Sequence, residues 1–276
     1  MSQLKQPRFV FLHIHKTGGM SLRHLIYRQF SGGKVFTIAK VKDTNYFLEL
    51  PEQQRNAQQL IFGHFQFSDS FIFPDKTNYF TMLREPVSRI ISQFNYIYFN
   101  PKHPFHNTML KKQFTLYDML TKGFIKNFDN CLVRMLSGNV FKDFGAIDEA
   151  DYKKALENFD RYFSHFGINE YFDESILMLS YELNWEFPYY ANTNVTKHKK
   201  IDKVVAEKTL AALERCSRYD QLLYKHALEK FKQKLEIYGA RLKTDKDKLK
   251  AGNAKRKLFL KLHYLLHENK IIGKHI

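Results

Sequence analysis

The stretch from Arg8 to Arg28, RFVFLHIHKTGGMSLRHLIYR, limits what this chain can fold into more than any other. Arg8 to His15 is an apolar run rich in β-formers and reads as a buried parallel strand. His15-Lys16-Thr17-Gly18-Gly19 follows. A helical pattern comes next, with Met20, Leu22, Leu25 and Ile26 on one apolar face and Ser31-Gly32-Gly33 as its stop signal. Strand, glycine turn with a lysine and hydroxyls, then helix is the architecture of an anion cradle. Glycines let the backbone approach an anion, N–H groups at the helix start point at it, and the lysine adds a full charge. The turn is not a Walker A loop, which needs a glycine four residues before a Gly-Lys-Ser/Thr triplet; here the lysine precedes the glycines. A plain strand–turn–helix corner is the alternative reading at this point.

The rest of the first half repeats the strand-and-helix alternation. Val35 to Ala39 is a second strand, and Pro51 to Gln58 a short helix with proline in its first turn. Leu60-Ile61-Phe62 is an apolar strand running into Gly63-His64. Asn78 to Leu83 delivers Arg84-Glu85-Pro86, and a helix follows with Val87, Ile90, Ile91 and Phe94 on its buried side. The pattern predicts an α/β fold: a P-loop-like central sheet, mostly parallel and flanked by helices, with a mostly helical C-terminal part. In such sheets ligands sit at the carboxyl ends of the strands. Lys16, His64 and Arg84 each stand just past a predicted strand end. Arg84 is placed to fork onto a phosphate, and Ser92, two turns into the next helix, to complete the cage. Alternatively, Arg84 pairs with Glu85 and Ser92 is a small packing residue.

From about Phe99 the pattern turns helical. Helices are predicted over Phe114–Lys122, Asn127–Leu136, Ile147–Tyr162 and Asp173–Asn184, with a short strand over His165–Ile168. Phe187 to Lys200 reads as an irregular loop. Two further helices (Val204–Cys216 and Tyr219–Leu242), a charged hinge (Lys243–Lys257) and a final basic helix (Leu258–His267) complete the chain. The expected division is a core over residues 1–200 and a basic helical extension over 201–276, packed on or continuing the same domain.

Composition narrows the partners. With 44% hydrophobic residues among 276, the chain can bury one sizeable core. A net charge of +16 favours anionic partners: nucleotides, nucleic acid, anionic glycans or an acidic membrane surface. Cys131 and Cys216 are too few for a disulfide framework, which points to a reducing compartment. The N-terminal MSQLKQPR carries no signal-peptide core and no run reaches transmembrane length, so a soluble, cytoplasmic protein is expected. No His/Cys/Asp cluster has metal-ligand spacing, so no metal is expected.

HIHKTGGMSL followed by TMLREPVSRIISQF resembles the nucleotide-binding sulfotransferases, specifically the carbohydrate branch similar to the heparan sulfate 2-O- and 6-O-sulfotransferases and their bacterial relatives. The likeness continues through Asn130 to Gly138 and Phe172 to Ser175, covering roughly residues 8 to 200. It implies 3′-phosphoadenosine 5′-phosphosulfate as sulfuryl donor and a glycan hydroxyl as acceptor. By this resemblance Lys16, Thr17, Gly18, Gly19, Met20 and Ser21 hold the 5′-phosphosulfate, Arg84 and Ser92 grip the 3′-phosphate, and His64 is the general base. Thr196 and Lys197, in a late basic loop, close over the nucleotide. Asn130 and Arg134, one helical turn apart, either orient nucleotide or acceptor or form a structural pair. His13 and His15 share one strand face and either pack or orient the loop. Trp185, Tyr96 and Tyr98 are either core or sugar-stacking residues.

Two other functions compete. A P-loop small-molecule kinase would need a Walker lysine and a magnesium-holding carboxylate, and neither is evident. A nucleic-acid-binding protein would use the basic C-terminal helices. The stretch Leu258 to Ile276 reads either as a peripheral membrane contact, because Leu258, Leu262, Leu265 and Leu266 alternate with Lys255, Lys257 and Lys261, or as a solvated packing helix.

Overall fold

A computed structural model describes residues 8–30, 34–68, 71–73, 76–186, 188–190, 207–260 and 262. Five strands form one parallel sheet in the order β2-β3-β1-β4-β5: β1 (Arg8–Leu12), β2 (Val35–Ile38), β3 (Leu60–Gly63), β4 (Thr77–Leu83) and β5 (His165–Ile168). The fold is α/β with a helical C-terminal part, as the strand–helix alternation predicts. β1 lies at the centre, and its Val10, Phe11 and Leu12 are fully buried because both sheet faces are covered. The predicted stop signal at residues 31–33 lies outside the described residues.

The elements that carry the strand-end residues follow local rules. Helix α1 (Gly19–Gln29) starts behind Gly18, whose φ of +86° is left-handed. Helix α4 (Pro86–Phe99) has proline at its first position, and both oxygens of Glu85 accept N–H bonds, from Val87 at 2.9 Å and Ser88 at 2.6 Å. The apolar face of α4 (Ile90, Phe94, Ile97) packs on α5 (His106–Lys111), α6 (Leu116–Thr121) and the C-terminal helix in a second hydrophobic cluster beside the main core. Between β2 and β3 run α2 (Val41–Glu49), which the sequence reading misses, and α3 (Glu52–Asn56). α2 buries little beyond Phe47, so its apolar stripe is faint.

The C-terminal part differs most from expectation. Residues 207–255 form one helix, α10 (Glu207–Lys255), rather than two helices and a hinge. The proposed hinge is charged but rich in helix formers, and its Leu249 and Gly252 are buried. The expected break at Cys216–Tyr219 instead marks where Asn130 inserts into the helix backbone. Its N–H donates to Cys216 O at 2.7 Å, and its Oδ1 accepts from the N–H of Tyr219 at 3.0 Å and Asp220 at 3.2 Å. α10 packs along α4, α6, α7 (Cys131–Ser137), α8 (Glu149–Tyr162), α9 (Phe172–Leu183) and β5. Residues 204–206, where the first of the two helices was expected to begin, lie outside the described residues, as does most of the predicted helix beyond residue 260.

Candidate active site at the carboxyl edge of the sheet

Sheet register brings the three strand-end residues to one edge. Leu12 pairs with Gly63 on one side and Thr81 on the other, and Thr81 Oγ1 donates to Leu12 O at 2.8 Å. The chain beyond β1 therefore runs between the ends of β3 and β4. His13 N–H donates to Gly63 O at 2.8 Å, and His64 N–H to Ile38 O at 2.9 Å. Gly63 has a φ of +148°, and a Cβ there would lie 1.9 Å from Ile38 O. Only glycine lets β3 lie this close to β2, and that approach sets where His64 emerges.

Lys16 is itself left-handed, with φ of 67°. A non-glycine residue in this region stores strain of order 1–3 kcal/mol and persists only where its surroundings hold it. Two contacts do so. Arg84 Nη1 donates to Lys16 O at 3.2 Å, tying the loop to the end of β4, and Thr17 Oγ1 donates to Ile14 O at 2.9 Å. Fully buried Thr17 thus uses its hydroxyl hydrogen inside the loop. Gly18 faces Asn169 just past β5, where an added Cβ would lie 2.3 Å from Asn169 Oδ1. Gly19, Met20 and half-buried Ser21 form the first turn of α1, which carries no acidic residue and no side-chain cap at its N-terminus. The start of α1 is thus available to an anion, whereas Glu85 occupies the start of α4.

The cations here are perturbed by one another and by burial. Burial, aided by the Arg84 charge, lowers the Lys16 ammonium to about 8. Its Nζ sits over the Tyr96 ring, 4.0 Å from the centroid. Arg84 is half-buried, its Nη1 is used on Lys16 O, and its buried Nε has no hydrogen-bond partner. Ser92 lies one helical turn before Tyr96, on the face of α4 that Lys16 reaches. The alternative pairing of Arg84 with Glu85 is not formed; the Glu85 carboxylate caps α4 instead.

His64 is the most constrained side chain at this edge. Its Nδ1–H donates to His13 O at 2.6 Å, so the proton sits on Nδ1 and the lone pair on Nε2. Its ring stacks on His15 at 4.0 Å with 6° between planes, and on His13 at 4.2 Å with 25°. The shared strand face of His13 and His15 thus becomes a stacking frame for His64. Its pKa is not near neutrality, as an ordinary imidazole would be. Burial first, and then the Arg23 and Lys16 charges, pull it down to about 4 against the raising effect of the His13 carbonyl. His13 and His15 are likewise lowered, chiefly by burial.

Other expected site residues lie elsewhere. Arg134 is buried, its guanidinium donating to Asp129 O at 2.7 Å, Lys142 O at 2.5 Å and Asp143 O at 2.7 Å and pairing with the Asp129 carboxylate. Asn130 joins α7 to α10 as described above. These contacts match the structural alternative for the pair rather than substrate orientation. Trp185 is buried edge-on against Phe80, and Tyr98 packs on Phe94 and Phe99, so both belong to the packing rather than to a sugar platform. Thr196 and Lys197 lie outside the described residues. The sequence reading missed Tyr96 as the seat of Lys16 and Arg89 as a fully buried cation. The spacing of Ser92 and Tyr96, four apart on one helix, was the signal for the first. Among the described residues no group of three or more His, Cys, Asp or Glu is placed to hold a metal.

No curated protein matches the chain in sequence. A family of carbohydrate sulfotransferases does match, over residues 2–272, and so extends through α10 well past the stretch over which the motifs alone resemble sulfotransferases. It is named for galactose rather than for heparan sulfate. With the strand-end lysine, arginine and histidine on one edge, this match shows that the chain belongs to the galactose-3-O-sulfotransferase family and is a sulfotransferase acting on carbohydrate.

Proposed function

We propose that the chain transfers a sulfuryl group from 3′-phosphoadenosine 5′-phosphosulfate to the 3-hydroxyl of a galactose residue in a glycan. The observation that carries this reading is the tie of Arg84 to Lys16 O at one sheet edge, with the Lys16 charge near enough to depress His64. Backbone N–H groups at the start of α1 and the Lys16 ammonium suit the 5′-phosphosulfate, and Arg84 with Ser92 suits the 3′-phosphate. Two anion sites on one edge favour a donor phosphorylated at both ends over ATP. The family match extends through α10, so the reading does not require a separate function for the basic C-terminal helix.

The chemistry follows from these roles. His64 Nε2 takes the proton of the acceptor hydroxyl as its oxygen attacks sulfur in line. The new O–S bond forms while the bond from sulfur to the bridging phosphate oxygen breaks, and the electron pair leaves on the 5′-phosphate. Lys16 and the α1 N–H groups neutralise that charge. A pKa of about 4 makes His64 neutral before the donor arrives. The donor's negative charges oppose the Arg23 and Lys16 effect and raise the basicity of His64 when it is needed. Positioning and electrostatics supply the catalysis, as in phosphoryl transfer.

Calorimetry tests the donor: 3′-phosphoadenosine 5′-phosphate binds in the micromolar range and ATP far more weakly. Equal affinity for both would remove the donor assignment. His64→Ala abolishes transfer to galactose-terminated glycans by at least ~10²-fold while leaving nucleotide affinity nearly intact. The reading also includes a peripheral membrane contact: Leu258 and Leu262 are 73% and 50% exposed beside exposed Lys255 and Lys257. Co-sedimentation with phosphatidylserine vesicles that disappears for a chain ending at residue 255 is the expected result; equal sedimentation of both chains would remove the contact.

A further inference from the structure

Tyr96 stands out on α4. The helix buries Ile90, Phe94 and Ile97, yet Tyr96 on another face keeps 43% of its surface exposed. One face of its ring carries the Lys16 ammonium at 4.0 Å, and the His103 ring packs edge-on against it at 5.7 Å and 84°. The ring is therefore held in orientation by His103 and seats the lysine that the family reaction uses. Ser92 lies one turn away on the same face, so the seat adjoins the 3′-phosphate site.

An ammonium on a ring face is held by the ring quadrupole, whereas a phosphate offers full negative charge and charge-assisted hydrogen bonds. Donor binding therefore draws Lys16 off Tyr96. The bared face is a flat apolar platform at the mouth of the site. Galactose matches such a platform: its axial 4-hydroxyl leaves the C–H groups of C3, C4 and C5 together on one face. Its equatorial 3-hydroxyl projects from the rim of that face, where a base can reach it.

We infer that Tyr96 is a donor-gated acceptor subsite: Lys16 covers its ring until the donor's phosphate withdraws the lysine, and the freed face then stacks on the galactose ring. This rests on the donor and acceptor proposed above, and it imposes an order, donor before sugar. The coupling is reciprocal, so sugar binding also tightens the nucleotide.

Lactose affinity measured by calorimetry, with and without saturating 3′-phosphoadenosine 5′-phosphate, tests it. In the wild type the nucleotide tightens lactose by about tenfold, within the usual range of coupling between sites. Tyr96→Leu abolishes that coupling and raises the acceptor KM by about tenfold, with nucleotide affinity held or slightly tightened because Lys16 loses a competing seat. Tyr96→Phe keeps the ring and keeps the coupling. Undiminished coupling in Tyr96→Leu overturns the gate. A wild type that binds the nucleotide but shows no coupling overturns the gate alone, and one that binds no nucleotide overturns the donor reading and the gate with it.

Discussion

In the roles proposed above, His64 and Lys16 bracket the pH range in which the free protein would react. His64 is neutral above about 4, where burial and neighbouring cations hold it, and Lys16 keeps its charge below about 8. The profile of kcat/KM reports the free enzyme. It is therefore expected to be flat between these values, to fall below about 4 as His64 protonates, and to fall above about 8 as Lys16 loses its proton. Lys16→Arg moves the alkaline limb upward and Lys16→Ala lowers kcat by ~10²–10³-fold. An alkaline limb unmoved in Lys16→Arg would assign that titration to another group. Stability carries the second consequence. His13, His15 and His64 all titrate below the ordinary 6.5, so the unfolded chain takes up protons first. Stability from these groups is present above about 6.5 and is lost as pH falls toward 4. Thermal melts across that range should show Tm dropping, and His15→Leu should shallow the slope.

Two junctions between elements hold the site, and each has its own test. Gly63 ends β3 against the Ile38 carbonyl, and any side chain there collides with backbone. Gly63→Ala is expected to destabilise by about 3 kcal/mol, the upper end for overpacking, and to displace His64. Denaturant melts measure the first effect and the loss of transfer activity the second. The other junction joins α7 to α10. Buried Asp220 accepts the N–H of Leu132 at 3.1 Å and of Val133 at 2.9 Å, capping α7 from a neighbouring helix. Asp220→Ala leaves those donors without a partner and costs roughly 2 kcal/mol. A neutral Asp220→Ala would show that water satisfies the α7 start equally well. Neither junction was readable beforehand. An aspartate 88 and 87 positions from the two N–H groups it caps leaves no local mark, and Gly63 reads only as a turn until β2 lies beside it.

Across the whole molecule, α10 turns the basic surplus into packing. His226 and Lys230 meet Asp160 on α8 at 2.8 and 2.5 Å, Lys234 meets Glu182 on α9 at 2.8 Å, and Lys246 pairs with Glu174. Its Ala212, Leu213 and Cys216 complete the cluster under α4, and Leu223, Ala227 and Phe231 join the main core. A chain ending at residue 206 should therefore fail to fold; a cooperative thermal melt from that fragment would establish residues 1–200 as an autonomous core. The strand-and-helix order, the parallel sheet and the convergence of Lys16, His64 and Arg84 were all legible in the residues. They depend on periodicity, glycine placement and the rule that ligands meet strand ends, which are local or topological. The continuity of α10, the roles of Asn130 and Arg134, the stacking frame of His64 and its depressed pKa were not. These arise from groups distant in the chain that meet only on folding, and burial and pair distances exist only then. Helix formers alone would not reveal whether Lys243 to Lys257 bends or continues, because packing against α9 and Tyr189 settles it.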